Sequence, residues 1–267
     1  MDNNTSYIEN ITDLCRNLKL GGMKAGLDRM LEEANNGGWP YERFLAGLLQ
    51  AEDQHRTEAR IRALVKRAGF PQKKYLEDLE RDKLPKDMLT ALPELETLDF
   101  IRSGQNVVMY GTPGTGKTHC AIGLGIRACT AGMSVLYSSV PRMLVEIKEC
   151  ESKRKLSRLY KKYEKYDLAI LDECGYKSLD KVAAEQLFNL ISLRSDRKST
   201  IITTNLGFDK WDTIFTDKVV AAAIVDRLTF KSYIIDMNAP SYRISATEQW
   251  ISERAGKKAA EGKKALK

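Results

Sequence analysis

Residues 107–118 read VVMYGTPGTGKT, an apolar run followed by a glycine-rich turn that ends in lysine and threonine. Glycines let such a turn wrap around a phosphate group, so that several N–H groups point inward at the positive end of the following helix. Lys117 can then reach the outer phosphates of a nucleotide, and the Thr118 hydroxyl can ligate Mg²⁺. The spacing G-x-x-x-x-G-K-T between a strand and a helix therefore predicts a phosphate-binding loop. The predicted phosphate-binding residues are Gly111, Thr112, Pro113, Gly114, Thr115, Gly116, Lys117, Thr118 and His119.

Five short apolar runs, the first of them ending at this turn, alternate with segments of helical length in the second half of the chain. Near-continuous apolar strands that alternate with helices are typical of a parallel sheet covered on both faces. The fold class predicted is therefore α/β, with a five-stranded parallel sheet flanked by helices. The predicted strands are 107–110, 135–137, 168–171, 201–204 and 233–235, and the helices between them are 117–131, 141–163, 182–195 and 211–228.

The flanking regions have other patterns. Residues 1–66 carry apolar side chains at helical spacing and are predicted to form a small helical interaction domain. Residues 67–98 hold three prolines among many charges and are interpreted as a connector with short helices. The core that holds the predicted sheet is then expected at 99–246, and a C-terminal helix at 247–255 followed by a basic tail, which is expected to fray, within 247–267.

The composition excludes several classes of protein. Of 267 residues, 43% are apolar and 30% are charged, as in a folded protein rather than a disordered or fibrous one. We find no run of about 18 apolar residues and no apolar signal core, so neither a membrane span nor export is expected. Five widely spaced cysteines and two histidines favour a reduced, cytoplasmic setting without a zinc site. The net charge of +7 is compatible with nucleic-acid binding but does not establish it.

Polar residues end the third and fourth predicted strands. Asp172 and Glu173 follow the third strand, where Asp172 could hold Mg²⁺ through water and Glu173 could polarise an attacking water molecule. Asn205 follows the fourth strand and would orient the same water if that strand lies between the first and the third. The alternatives are two surface carboxylates that cap the next element, and an asparagine in a turn before Gly207. The predicted metal ligands are Thr118 and Asp172.

At this point the sequence resembles the AAA+ ATPases, and within them the DnaC/IstB group of the initiator clade. The motifs that carry the resemblance are GTPGTGKT at 111–118, LAILDE at 168–173, IITTN at 201–205, AIVDRL at 223–228 and SYR at 241–243. Residues 18–32, 44–52 and 67–71 also resemble the front end of IstB proteins, the ATPase helpers of insertion-sequence transposases. The resemblance implies a P-loop AAA+ fold.

The same resemblance implies roles for two arginines. Arg227 matches the arginine finger that reaches the nucleotide of a neighbouring subunit, and Arg243 matches the second sensor arginine of the subunit's own site. An arginine supplied by a neighbour stabilises charge on the transferred phosphoryl group and couples hydrolysis to assembly. The alternative is a surface ion pair for Arg227 and a solvated side chain for Arg243. About 30 residues follow Ile235, so the helical lid of many AAA+ proteins is expected to be reduced or absent.

The segment 148–165 is the candidate for contact with nucleic acid. It holds eight basic residues against three glutamates, a net charge of +5. Basic side chains along a helix can neutralise successive phosphates with little sequence preference. A solvated helical face is the alternative, and the tail from Lys257 carries a weaker version of the same hypothesis. The candidate DNA-binding residues are Lys148, Lys153, Arg154, Lys155, Arg158, Lys161, Lys162 and Lys165.

These patterns, together with the resemblance, predict a Mg²⁺-dependent ATPase that assembles into a homo-oligomeric ring or spiral, binds double-stranded DNA and assists a transposase. The catalytic residues expected are Lys117, Glu173, Asn205, Arg227 and Arg243. A replicative helicase loader of the DnaC kind shares every ATPase motif and is the nearest alternative. Two more distant hypotheses are a monomeric kinase and a nucleotide-gated scaffold that hardly hydrolyses ATP. Glu173 argues against the kinase, because a water activator is harmful where water must be excluded.

Overall fold

The computed structural model describes the backbone of residues 3–175, 179–215 and 217–264, and the side chains of residues 6–254 within those ranges. The chain divides into two compact units, Met1–Ala63 and Leu64–Lys267. In the described residues, no helix is both long enough and apolar enough to cross a membrane.

The smaller unit is helical, as predicted. Its helices are α1 (Asn3–Asn17), α2 (Gly21–Gly37) and α3 (Tyr41–Ala68), the last of which continues into the larger unit. The buried carboxylate of Glu52 accepts hydrogen bonds from the Gly22 and Met23 N–H groups at 2.7 and 3.2 Å. A carboxylate at this place satisfies unpaired donors at the positive end of α2. Glu52 therefore ties the start of α2 to α3.

A five-stranded parallel sheet forms the centre of the larger unit, as predicted. Its strands are β1 (Val107–Tyr110), β2 (Val135–Ser139), β3 (Leu168–Cys174), β4 (Ser199–Thr204) and β5 (Tyr233–Asp236). Their order in the sheet is β2-β3-β4-β1-β5, so β1 pairs with both β4 and β5. The carboxyl ends of β1, β3 and β4 are therefore neighbours, which is where ligands bind in open parallel sheets.

Helices cover both faces of the sheet. Their bounds are α4 (Lys86–Leu95), α5 (Asp99–Arg102), α6 (Lys117–Thr130), α7 (Val140–Ser152), α8 (Leu156–Lys165), α9 (Lys181–Arg194) and α10 (Lys218–Thr229), and a further helix, α11 (Tyr242–Lys264), follows β5. Val108 and Ile202 face one core, shared with α7 to α10, whereas Val107 and Ile201 face the other, shared with α4 to α6. Because successive strand residues alternate between faces, burial on both sides explains the continuous apolar runs.

Several predicted elements differ in the structure. The expected helix 141–163 is two helices, α7 and α8, separated at 153–155, where Arg154 has φ 52°. The expected helix 211–228 is a 3₁₀ helix at Phe208–Thr213 followed by α10, whose first turn is capped by the Asp217 carboxylate. The C-terminal helix α11 runs from Tyr242 to Lys264, beyond both ends of the predicted 247–255. Of the basic tail, residues 265–267 lie outside the described residues.

The segment 67–98 is more than a connector. Leu76, Met88, Leu92 and Leu95 are buried in the core that α6 shares with the sheet. Two 3₁₀ helices, Leu76–Asp78 and Arg81–Lys83, precede α4 in this segment. Charged residues outnumber apolar ones here, and for that reason the sequence pattern hid a part of the core.

Candidate nucleotide-binding site

The glycine-rich turn lies between β1 and α6, as predicted. Gly111, Gly114 and Gly116 have φ of 142°, 84° and 94°, a region that strongly favours glycine. A Cβ atom on Gly114 would also lie 2.2 Å from the Ser241 Oγ atom. The backbone conformation therefore favours glycine at all three positions, and the close approach of the segment after β5 also requires it at Gly111 and Gly114. The Thr112 N–H donates to the Asn238 side chain at 3.0 Å, so the turn and that segment are joined directly.

The Lys117 side chain points back into the turn. Its Nζ atom donates to the carbonyl oxygens of Gly111 and Thr112 at 2.6 and 2.7 Å, and only 7% of the residue is exposed. Burial lowers the pKa of Lys117 to about 8, while the charge of Asp172 opposes and that of Arg243 adds to the shift. The ammonium group is thus held inside the turn by neutral carbonyls, an environment that a phosphate group would improve.

Asp172 is the centre of a buried hydroxyl cluster. The residue is 2% exposed, and its carboxylate accepts hydrogen bonds from the hydroxyls of Thr118 at 3.1 Å and Tyr137 at 2.6 Å. The Thr203 hydroxyl is a third donor. The structure therefore brings the two predicted metal ligands, Thr118 and Asp172, together. A hydroxyl and a carboxylate are the hard oxygen ligands that Mg²⁺ takes together with water and phosphate oxygens, so this donor set fits Mg²⁺.

A bulge in β3 gives Asp172 and its neighbour Glu173 different surroundings. The pairing of β3 with β4 shifts between Leu171 and Cys174, so β3 has one extra residue there. Glu173 has φ 61°, and its N–H donates to the Thr203 Oγ atom at 3.1 Å. Bulges near functional sites re-aim side chains. As a result Asp172 is buried, whereas Glu173 is exposed at the edge of the cleft.

Asn205 and Arg243 border the same cleft from two other elements. Asn205 follows β4, and β4 lies between β1 and β3, which is the condition on which its predicted position depended. Arg243 is in the first turn of α11, beside Tyr242, whose N–H donates to the Gly114 carbonyl at 3.0 Å. The start of α11 is therefore attached to the glycine-rich turn, and this attachment brings Arg243 to the cleft.

These residues surround a cleft of about 590 Å³, which we call the nucleotide cleft. Residues 113–119 form one wall, with the His119 Nε2 atom 2.8 Å from the Tyr75 carbonyl oxygen. Sequence reasoning missed Tyr137 and Thr203, and it also missed another part of the lining. Apart from Tyr242 of α11, that part comes from the segment 67–98, where no local pattern identifies it. The missed lining residues include Lys74, Asp78, Leu79, Glu80, Lys83, Leu84 and Tyr242.

Arg227 lies elsewhere. It belongs to α10 and lines a second cleft of about 900 Å³, which we call the Arg227 cleft. Its guanidinium carbon lies 4.5 Å from the centre of the Phe188 ring. Asp226 and Arg197 line the same cleft, as do Asn189, Ser192 and Asp196. The structure thus brings the other four predicted catalytic residues to the nucleotide cleft but leaves Arg227 outside it.

The basic segment 148–165 is spread over α7, α8 and the break between them. The Lys148 Nζ atom lies 3.7 Å from the Asp180 Oδ2 atom, and the Lys162 Nζ atom lies 2.6 Å from the Glu146 Oε1 atom. Tyr160 and Tyr163 are both engaged, Tyr160 with Gln186 and Tyr163 in the core. The remaining basic residues are exposed and form no ion pair within the part of the chain that the structure describes. They are Lys153, Arg154, Lys155, Arg158, Lys161 and Lys165.

A parallel sheet of this strand order, with a phosphate loop after β1 and an acidic end on β3, defines a P-loop protein of the AAA+ class. The family described as "IstB-like ATP binding protein" matches residues 13–249. The chain therefore belongs to the family of IstB-like ATP-binding proteins.

Relatives from insertion sequences align over most of the chain. The IS21 ATP-binding protein of Pseudomonas aeruginosa is 32% identical, with 86% of this chain and 87% of that protein covered. The IS5376 ATP-binding protein of Geobacillus stearothermophilus is 31% identical, with 88% and 94% covered.

Solved structures share the fold. The crystal structure of DnaI is similar with a TM-score of 0.54 at 19% identity, over 66% of this chain and 93% of that one. AMPPCP-bound DnaA from Aquifex aeolicus is similar with a TM-score of 0.52 at 20% identity, over 69% and 56% of the chains. At this identity the similarity extends to the fold alone.

Proposed function

We propose that this protein is a Mg²⁺-dependent ATPase that binds duplex DNA and assists a transposase. The observation that carries the proposal is the nucleotide cleft, in which Lys117, Thr118, Asp172, Glu173 and Arg243 surround one space. That set has a cation for the phosphates, two oxygen ligands for a metal and an exposed carboxylate. Hydrolysis of a nucleoside triphosphate requires these three kinds of group.

Each residue of the cleft has a separate task. Lys117 leaves the Gly111 and Thr112 carbonyls and contacts the β- and γ-phosphates, while N–H groups of residues 113–118 bind their oxygens. Thr118 and Asp172 would hold Mg²⁺, which when bound neutralises charge on the phosphates. Glu173 accepts a proton from the attacking water, and Asn205 orients that water. Leu79 and Leu84, which also line the cleft, supply apolar surface for the base.

The position of Arg227 supports a homo-oligomer. Its guanidinium lies in the Arg227 cleft and not among the residues that line the nucleotide cleft. We infer that Arg227 completes the nucleotide cleft of a neighbouring copy, so that ATP joins subunits into a ring or spiral. Hydrolysis in such an assembly weakens the joint, because charge moves away from the guanidinium when the γ-phosphate leaves.

DNA binding is proposed from the exposed basic residues of the segment 148–165. Six of them are free of ion pairs in the described residues, and they are suited to phosphates rather than to bases. DnaA, one protein of similar fold, has been solved bound to AMPPCP and single-stranded DNA. For this chain duplex DNA is the proposed ligand, and a transposase is the proposed partner because the relatives are proteins of insertion sequences.

Hydrolysis measured with and without duplex DNA tests this function. The purified chain should hydrolyse ATP only with Mg²⁺, and sedimentation should show a larger assembly with ATP than without it. Lys117→Ala should lose ATP binding in calorimetry. Retained micromolar affinity in that variant, or equal turnover per subunit at all dilutions, contradicts the proposal.

Capture by the tagged full-length chain identifies the partner class. Cells that express the chain together with the transposase of its element should yield that transposase. A replicative helicase captured in its place supports the helicase-loader alternative.

A further inference from the structure

We propose that Lys74 is a further phosphate-binding residue of the nucleotide cleft, which contacts the terminal phosphate of ATP. This inference rests on the proposed function, because it names an additional ligand of the same nucleotide. Lys74 belongs to the segment 67–98, outside every motif that identifies the phosphate loop. It nevertheless lines the nucleotide cleft together with Lys117, Asp172 and Arg243.

The backbone around Lys74 is attached to the helix that follows the phosphate loop. The carbonyl oxygen of Tyr75 lies 2.8 Å from the His119 Nε2 atom. The next residue, Leu76, is 3% exposed and packs against Gly123 of α6. A Cβ atom on Gly123 would lie 2.5 Å from Leu76 Cδ2 and 3.3 Å from the Leu76 nitrogen, so glycine permits this close approach. Lys74 is therefore held next to the first turn of α6.

The Lys74 ammonium group has no protein partner within the described part of the chain. The side chain is half-buried, and it forms no hydrogen bond or ion pair with any residue that the structure describes. The pKa of Lys74 is lowered by burial and by the charge of Arg243, and raised by the charge of Asp172. A lysine that is partly removed from water is unfavourable when no carboxylate is paired with it directly. A phosphate in the cleft would supply the counter-ion.

Lys74 lies at the phosphate end of the cleft. Asp172 and Arg243, the charges that affect Lys74, belong to the metal and phosphate side. The apolar residues Leu79 and Leu84 offer no charge to a phosphate, and Glu80 is occupied by its ion pair with Lys83. Asp78 accepts a hydrogen bond from the Tyr75 N–H. The groups left for the outer phosphates are therefore Lys74, Lys117 and Arg243, with Mg²⁺ at Asp172.

Calorimetry with ATP, ADP and AMP in the presence of Mg²⁺ tests the inference. Lys74→Gln should weaken ATP binding about tenfold, ADP binding about twofold at most, and AMP binding not at all, since one charge-assisted contact to the last phosphate is lost. Lys74→Arg should recover most of the ATP affinity. Lys73→Gln, at the exposed neighbouring lysine, is the matched control and should bind all three like the wild type.

Two results overturn the inference. One is a wild-type ATP affinity in Lys74→Gln, and the other is an equal loss for all three nucleotides. The first shows that no contact exists, and the second shows that Lys74 supports the fold of the cleft. If the wild-type chain itself binds no ATP, the proposed function fails together with the inference. ATP binding by the wild type that Lys74→Gln leaves unchanged overturns the inference alone.

Discussion

The nucleotide cleft and the Arg227 cleft differ in how far this chain alone completes them. In the nucleotide cleft, Lys117 and Asp172 are buried, and their polar atoms are hydrogen-bonded to the turn carbonyls and to three hydroxyls. The Arg227 cleft is larger, lacks a phosphate loop, and holds an arginine whose ring contact is with Phe188. One cleft contains four of the five predicted catalytic residues, and the other contains Arg227, the proposed finger.

This difference is the basis of the proposal that a second copy supplies Arg227. Hydrogen bonds from three hydroxyls of the same chain hold Asp172 in place in the nucleotide cleft. The Arg227 guanidinium has no anionic partner at its position in the described part of the chain.

Loss of Arg227 should have the largest effect. Arg227→Ala should reduce ATP hydrolysis about 1,000-fold or more, with little change in ATP affinity, because a finger acts on the transition state. Mixing it with Lys117→Ala subunits should restore part of the activity, because an intact nucleotide cleft can then use a neighbour's arginine. Steady-state hydrolysis over mixing ratios measures this. Arg197→Ala, in the same cleft, is the control for loss of a positive charge. Absence of any rescue on mixing argues that Arg227 does not act between subunits.

Loss of the Glu173 carboxylate should have the next largest effect, confined to the nucleotide cleft. Glu173→Gln should bind ATP normally and hydrolyse it roughly 100- to 1,000-fold more slowly, because the general base is lost. Such a variant should also remain assembled on DNA for longer. Single-turnover hydrolysis measures the rate, and a nucleotide-binding isotherm measures the ATP affinity. Glu185→Gln, on the exposed surface of α9, should behave like the wild type; equal turnover in both variants would remove Glu173 from the mechanism.

The affinity for ATP should decrease at alkaline pH. Burial lowers the pKa of Lys117 to about 8, so its charge is present below that pH and is lost as the pH rises through it. A bound triphosphate favours the charged form, so affinity should be full below about pH 8 and fall about tenfold between about pH 7 and about pH 9. Lys74, whose pKa is also lowered, contributes with the same sign.

Calorimetry across this pH range measures the effect. Lys117→Arg, which does not titrate there, should have a flatter profile. A wild-type affinity that is constant up to about pH 9 would contradict the assignment of the charge to Lys117.

The smallest expected effects are on the free energy of unfolding, and they compare one variant in each cleft. Thr203→Val removes a hydroxyl from the buried Asp172 carboxylate and should lower the free energy of unfolding by about 1–2 kcal/mol. Ser192→Ala, in the Arg227 cleft, removes a hydroxyl that has no partner within the described residues, and should change it by less than about 0.5 kcal/mol. Urea denaturation without nucleotide measures both. Equal destabilisation would mean that the Asp172 cluster is no better organised than the other cleft.

Motif reasoning predicted the sheet and the phosphate loop because both are local. Strand periodicity, glycines at fixed spacing and a polar residue after each strand are properties of consecutive residues. The same reasoning misplaced the ends of helices where a turn decides them. Arg154, in a left-handed conformation, breaks the expected helix 141–163, and the residues at the break, 153–155, include no glycine or proline that would indicate it.

By itself the sequence determined the strand–loop–helix unit around Lys117, the acidic end of β3 and the class of sheet, since hydrophobic burial and glycine backbone freedom act over a few residues. Tertiary structure alone decided which distant segments meet that unit. Leu76 against Gly123 brings Lys74 to the cleft, the Gly114 carbonyl holds the start of α11 with Arg243, and the order β3-β4-β1 positions Asn205. It also decided that Arg227 lies apart, because the packing of α10 on α9 directs this arginine to another cleft.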